Sequence, residues 1–144
     1  MARLVGINHV ALEVGDLEAA LALYARLFSF ELRGRAGRTA FIDMGDQFLA
    51  VSEGRTQGRD DTRHFGLVVD DKEAVRAAVG AEGLPIVGGG HRLDFMDPWG
   101  NRIEVVAYAD IQFERAPAVK RKLGIDGLEK TEKARREIAG RGLS

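Results

Sequence analysis

A block of eleven residues recurs once in this chain at a fixed offset of 55 positions: HVALEVGDLEA (9–19) returns as HFGLVVDDKEA (64–74). The two copies share His, Leu, Val, Asp, Glu and Ala at six of eleven places, more than chance aligns, so the chain reads as two pseudo-symmetric modules. Each copy opens on a histidine. His9 and His64 therefore stand at equivalent places on the first strand of each half, where side chains from two modules can converge on one ion.

The pattern within each module is βαβββ. Val5 to Val14 alternates as a strand, Asp16 is placed as a helix N-cap, and Leu17, Ala20, Leu21, Tyr24, Leu27 and Phe28 fall at helical spacing on one apolar face. Strands follow over Phe30–Arg33, Thr39–Met44 and Gln47–Glu53, punctuated by Gly37 and by Gly45-Asp46. Residues 53–63 are nearly free of apolar side chains and read as a linker. The pattern then restarts with a strand over His64–Val69, an N-cap at Asp71, and a helix burying Ala74, Val75, Ala78 and Val79 that ends near Gly83. Pro85–Val87, Leu93–Met96 and Arg102–Tyr108 supply three more strands. The expected fold is α+β: modules of about 5–53 and 63–108 forming one cupped mixed sheet in a domain of residues 1–108. A helical extension over 109–144 follows, broken by Pro117, Gly124 and Gly127, with a thin stripe at Leu128, Thr131, Arg135 and Ile138. That extension is either a docked surface appendage or a lid.

A formal net charge of −1 gives no basic face for phosphate, so nucleic acid is not an expected partner. The charge is uneven: the extension carries nine Lys and Arg against six Asp and Glu, which makes it the basic part of an otherwise acidic chain. The absence of cysteine excludes disulfides, thiolate ligands and a cysteine nucleophile. No stretch approaches the roughly 20 apolar residues of a membrane span, and the amino terminus lacks a signal-like apolar run, so a cytoplasmic protein without a membrane partner is expected.

Glu104 lies inside the apolar run Ile103-Glu104-Val105-Val106, where a carboxylate is costly unless it is compensated. Taken alone, it reads as the partner of Arg92 or Arg102. Taken with His9 and His64, it completes two imidazoles and one carboxylate, a set that holds a divalent cation and leaves positions for water or substrate. Arg92 and Asp94 share a strand face behind the Gly88–His91 loop. Asp94 is a candidate to orient water or move a proton, and His91 and Arg92 are candidates to bind an anionic substrate group. The alternative is that all three serve the turn or bridge to one another. Asp97-Pro98-Trp99-Gly100-Asn101 reads as a structural tight turn.

INHVALEVGDLEAALALY (7–24), RHFGLVVDD (63–71) and FMDPWGNRIEVV (95–106) together resemble the vicinal oxygen chelate superfamily, which includes glyoxalase I, extradiol dioxygenases, fosfomycin-resistance proteins and bleomycin-binding proteins. The resemblance spans roughly residues 5–108. It implies a metal centre in a cupped sheet with ligands at His9, His64 and Glu104, Glu104 and Asp94 being the residues nearest the chemistry. It also implies one divalent ion (Fe, Mn, Ni, Co or Zn), a small oxygen-chelating substrate and a homodimer. Glyoxalase I adds a ligand from the last strand of the first module, where this chain has Leu49 or Ala50. The fosfomycin transferases place a threonine where this chain has Ala11, and extradiol enzymes are longer. The expectation is a metal-dependent lyase, isomerase or oxygenase. The alternative is a non-catalytic protein that sequesters a drug or metabolite, as bleomycin-resistance relatives do.

Overall fold

In the computed structural model, which describes residues 1–143, Asp16 ends the first strand and starts the first helix. Its backbone is extended and its carboxylate accepts from Ala19 N at 2.8 Å, satisfying a donor that the first helical turn leaves without an intrahelical partner. This junction joins β1 (His9–Val14) to α1 (Leu17–Leu27) in the first of two units, Met1–Arg59. β2 (Leu32–Ala36), β3 (Thr39–Asp43) and β4 (Phe48–Glu53) complete a sheet of order β1-β4-β3-β2. β1 runs parallel to β4, and the other pairs are antiparallel. One face of this sheet buries Leu12, Val14, Ala40, Ile42, Leu49 and Val51 with Leu17, Ala20, Leu21, Tyr24 and Leu27 of α1. The other face carries His9, Ala11, Phe41, Phe48 and Ala50, as strand alternation requires.

A second carboxylate ties the sheet to this helix. Glu53, at the end of β4, accepts from Leu17 N at 3.1 Å and from the Arg38 guanidinium, and these bonds hold its pKa below the ordinary glutamate value. Most strand boundaries lie within a residue of expectation, β5 starting at Phe65 just after His64, and two strands differ by more. Residues 5–8 are not strand: Phe48 N reaches the Asn8 carbonyl at 3.3 Å, but β4 begins there, so the alternating apolar residues upstream have no strand to pair with. Leu4, Val5 and Ile7 are exposed instead. β2 starts two residues late, with a register shift between Leu32 and Gly34 where it pairs with β3.

The second unit, from Asp60 onward, repeats the order with β5 (Phe65–Val69), α2 (Lys72–Ala81), β6 (Ile86–Val87), β7 (Leu93–Met96) and β8 (Arg102–Ala107). The sheet order is β5-β8-β7-β6, with β5 parallel to β8. Asp71 caps α2 by accepting from Ala74 N at 2.9 Å, and Gly83 supplies the left-handed residue that follows the helix, with φ of 66°. Val75 and Val79 pack over the face formed by Leu93, Phe95, Ile103 and Val105. The fold is thus α+β, built from two four-stranded mixed sheets with helices.

Beyond β8 lie a 3₁₀ turn (Tyr108–Asp110), α3 (Pro117–Leu123) and α4 (Glu132–Gly140). Gly124, with φ of 69°, ends α3, and Thr131 caps α4. The buried stripe of α4 is Ala134 and Ile138, while Arg135 of the expected stripe points to solvent. Lys130 is the anchor of this extension. Its ammonium donates to the carbonyls of Tyr108, Ile111 and Phe113 at 2.5, 2.9 and 2.5 Å and sits 3.5 Å over the Tyr108 ring. All three of its donors are used, and desolvation lowers its pKa from the ordinary lysine value. Tyr108 donates in turn to Glu114 at 2.6 Å. No helix among the described residues is long and apolar enough to cross a membrane.

Two outcomes follow for stability. Because the folded pKa of Glu53 lies below its ordinary 4.5, its contribution is present above that value and is lost as pH falls through the lowered one. Glu53→Gln is therefore expected to separate from wild type most at neutral pH and to converge with it in acid, read as chemical-denaturation midpoints across a pH series. Lys130→Ala leaves three carbonyls without their donor and is expected to cost about 2 kcal/mol. Limited proteolysis should then cut first within residues 109–143.

Candidate functional site

The parallel pairing of β5 with β8 sets Gly66 opposite Glu104. His64 lies two residues before Gly66, on the same face, and the missing side chain at Gly66 lets the imidazole and carboxylate meet: His64 Nε2 stands 3.3 Å from Glu104 Oε2. The segment leading into His64 is held against the start of β8. Asp60 N donates to the Gly100 carbonyl at 2.8 Å, and Arg102 Nη1 donates to the Asp61 carbonyl at 2.7 Å. Asp97 pins the turn itself, accepting from Trp99 N, Asn101 N and Asn101 Nδ2, which gives Asp97–Asn101 the structural role expected of it.

The protonation of His64 follows from its other nitrogen. Nδ1 is 2.7 Å from the Thr62 carbonyl, an acceptor only, so Nδ1 carries the proton. In the neutral ring Nε2 then presents a lone pair to a carboxylate oxygen 3.3 Å away. Two acceptors facing each other repel unless a cation or an added proton lies between them. Their spacing matches two neighbouring ligands that each bind one ion at about 2.1 Å. A backbone carbonyl fixing Nδ1–H is also the usual support behind a metal-binding imidazole.

Glu104 keeps 24% side-chain exposure, so it is half-buried; the completely buried carboxylate on this face is Asp94, its register partner on β7. Two guanidinium groups enclose Asp94. Arg102 donates to Oδ2 through Nε at 3.0 Å and Nη2 at 2.7 Å, and Arg92 donates through Nη2 at 3.1 Å and Nε at 3.4 Å. Arg92 Nη2 also lies 3.5 Å from Glu104 Oε2. Of the two arginines the sequence offers Glu104, Arg92 reaches it and Arg102 is committed to Asp94. The Arg102–Asp94 bond was not foreseen, although a shared strand face and opposite charge were the available signal. His91 lies apart from this cluster. The register sets Leu93 against Val105, so His91 falls toward the far end of β8, where its carbonyl accepts from Lys72 and it lines an open depression with Asp70, Glu73 and Arg76.

The first unit has a sparer version of the same face. His9 stacks on its register partner Phe48, with ring centroids 4.7 Å apart and planes at 11°, and its Nδ1 lies 2.8 Å from Asn8 Oδ1. Taking that amide oxygen as acceptor, His9 too keeps Nε2 as its open nitrogen. Ala11 pairs with Ala50 just as Gly66 pairs with Glu104, so Ala50 holds the carboxylate's place and Leu49 faces the helix. Phe41 opposite Ala50 replaces Asp94 opposite Glu104. Among the described residues no three His, Cys, Asp or Glu side chains are gathered as a ready metal site.

Two βαβββ units, each opening on a histidine whose Nδ1 is engaged, and one ending on a glutamate beside its histidine, define a class of small α+β proteins with duplicated mixed sheets. The chain belongs to the Glyoxalase/Bleomycin resistance protein/Dioxygenase superfamily, whose family model matches residues 6–105. Solved structures with the same fold include the fosfomycin resistance protein FosX from Listeria monocytogenes. That match has 18% identity and a TM-score of 0.61, covering 73% of this chain and 94% of that one. FosX from Mesorhizobium loti matches at 22% identity and a TM-score of 0.59, over 72% of this chain and 92% of that one. A mutant of the Listeria protein complexed with Mn(II) and 1S,2S-dihydroxypropylphosphonic acid matches at 19% identity and a TM-score of 0.62, over 73% and 93%.

The arginine clamp makes Asp94 a stability determinant. Asp94→Ala strands the largely buried Arg102 guanidinium without its carboxylate, while the half-exposed Arg92 turns to water, and is expected to cost about 3 kcal/mol, measured as the shift of the urea-unfolding midpoint.

Proposed function

We propose that this protein is a metal-dependent enzyme of the vicinal oxygen chelate type, a lyase, isomerase or oxygenase acting on a small substrate that offers two neighbouring oxygens. The observation that carries this reading is the approach of His64 Nε2 to Glu104 Oε2 at 3.3 Å while the Thr62 carbonyl engages the other ring nitrogen, an arrangement complete only with a cation or a proton between the two. His64 and Glu104 would hold the ion, with His9 as the third ligand through its open Nε2. When bound, a divalent cation supplies Lewis-acid polarisation of substrate oxygens and offsets charge that develops on them.

The chain's own residues set what surrounds the reaction. Thr62 fixes the His64 tautomer, and the flat contact with Phe48 fixes the His9 ring. Asp94 has no room for solvent and no free oxygen, so its work is to hold Arg92 and Arg102; a proton-moving role fits it poorly. Glu104 keeps partial exposure and is the carboxylate placed to take part in chemistry. The Mn(II) and diol phosphonate bound by the FosX mutant support a divalent ion and a small oxygen-rich ligand for this fold. A homodimer is part of the same proposal. Met1, Leu4, Val5 and Ile7 expose apolar surface just before β1, an edge strand, and a second copy would cover it.

Metal content of protein purified without chelator, followed by Mn(II) titration, tests the reading. Near-stoichiometric binding is expected. His64→Ala and Glu104→Ala should each weaken it by more than the roughly 10–100-fold that loss of a supporting residue costs, with His9→Ala following the same course. Wild-type protein that takes up no Fe(II), Mn(II), Co(II), Ni(II) or Zn(II) overturns the enzyme reading in favour of a metal-free binding protein.

A further inference from the structure

We infer that Arg92 is a cation-gated anion-binding residue: it rests against Glu104 until a metal takes that carboxylate, and it then binds an anionic group of the substrate. The substrate class that follows is a small molecule with a carboxylate or phosphonate beside a second oxygen donor. This rests on the metal-binding reading above and adds to it a residue and a charge requirement.

Three features of Arg92 carry the inference. Its side chain is 53% exposed, yet its head is fixed, because Nε and Nη2 both donate to the fully buried Asp94. A guanidinium held in place but open to solvent is prepared for a ligand, since little conformational freedom remains to be lost on binding. Its approach to Glu104, 3.5 Å from Nη2 to Oε2, is longer than either Arg92–Asp94 bond and is the weakest of the three contacts. That contact is the one that yields when a cation competes.

Charge balance points the same way. Asp94 neutralises only one of the two guanidinium groups that enclose it, so the clamp keeps one net positive charge, offset by Glu104 at 3.5 Å. A divalent cation on His64 and Glu104 removes that offset and leaves the face with a net charge of about +2. A neutral diol leaves that excess uncompensated, whereas an anionic ligand compensates it and gains a guanidinium partner at the same time. Asp94 acts here as a positioning residue: it keeps Arg92 aimed along the face that carries His64 and Glu104.

The experiment compares wild-type protein with Arg92→Met, Arg92→Lys and Asp94→Asn. Mn(II) binding is followed by electron paramagnetic resonance, and then glycolate or methylphosphonate, with ethylene glycol as neutral control, is titrated into the Mn(II)-loaded proteins. Arg92→Met should bind Mn(II) roughly threefold tighter or more, because a competing positive charge is gone. It should bind glycolate and methylphosphonate about tenfold more weakly or worse, with ethylene glycol unchanged. Arg92→Lys should recover part of the anion affinity, and Asp94→Asn should lower it by freeing the Arg92 head, with Mn(II) affinity falling roughly threefold because a negative charge is gone from the same face. Should Asp94→Asn fail to fold, the half-exposed Arg92 variants still decide the matter. Equal Mn(II) and anion affinities in wild type and Arg92→Met overturn this inference and leave the metal reading standing. Absence of Mn(II) binding in wild type overturns both.

Discussion

In each unit the interaction on which the rest depends is the parallel pairing of the first strand with the last. Parallel neighbours need a crossover, and here the crossover comprises a helix and two antiparallel strands, so residues 39 positions apart in the first unit and 38 in the second become neighbours. The helix covers one face and buries its branched side chains. The opposite face is not the one this helix covers, and there His64, Glu104 and the two arginines lie side by side. Asp16 and Asp71 set this arrangement twice, each ending a strand and capping a helix within a few residues. The repeat is thus a repeat of joints as much as of strands, and the shared Asp of the block is the residue that makes the joint in each copy.

Duplication did not produce two equal sites. Where the second unit places Glu104 and Asp94 opposite each other, the first places Ala50 and Phe41. Its histidine faces an aromatic ring in place of a carboxylate. The first unit spends its carboxylates elsewhere, Glu53 binding the start of α1 and Asp43 binding Arg33, which also lies 4.9 Å over Phe48. The position equivalent to Glu53 in the second unit is Ala107, and there the chain continues into the extension that Lys130 anchors. Each unit has its own device at the end of its last strand: a side chain reaching back to a helix in one, an added segment in the other.

This asymmetry explains what could be read from sequence. The two module helices, their caps at Asp16 and Asp71 and the existence of all eight strands were legible because period and capping chemistry act over a few residues; the Thr131 cap of α4 was not, its residue falling on the expected apolar stripe. His9, His64 and Glu104 stood out because one repeat and one misplaced charge marked them. The start of the first strand was not legible: Val5 and Ile7 alternate correctly, but a strand exists only where a partner runs beside it, and β4 begins only at Phe48. The Arg92–Asp94 half of the arginine clamp was legible, since the two share a strand face, but the Arg102 half was hidden for a related reason. Arg92, Asp94 and Arg102 look alike as charges on neighbouring strands, and only the register that sets Asp94 against Glu104 and Met96 against Arg102 decides which guanidinium meets which carboxylate. The sequence raised Arg102 as a partner for Glu104, whereas the register gives it to Asp94.

The two carboxylates on the second unit's open face separate by burial into different kinds of group. Asp94, with no exposed surface, carries four guanidinium bonds, and its desolvation is repaid only while both arginines stay in place. Its capacity is full, so it has nothing to offer a ligand. Glu104 has an imidazole at 3.3 Å, which needs a proton or a cation between them, and a guanidinium at 3.5 Å that is bonded more closely to Asp94. Neither neighbour saturates it, and partial exposure lets water complete what these contacts leave undone. A carboxylate so placed is stable enough to fold and open enough to exchange water for a cation. Deeper burial would have required a fixed partner like that of Asp94; full exposure would have let water compete with any ligand. The half-buried position, set by a β8 strand whose alternate residues form the core, lies between those limits.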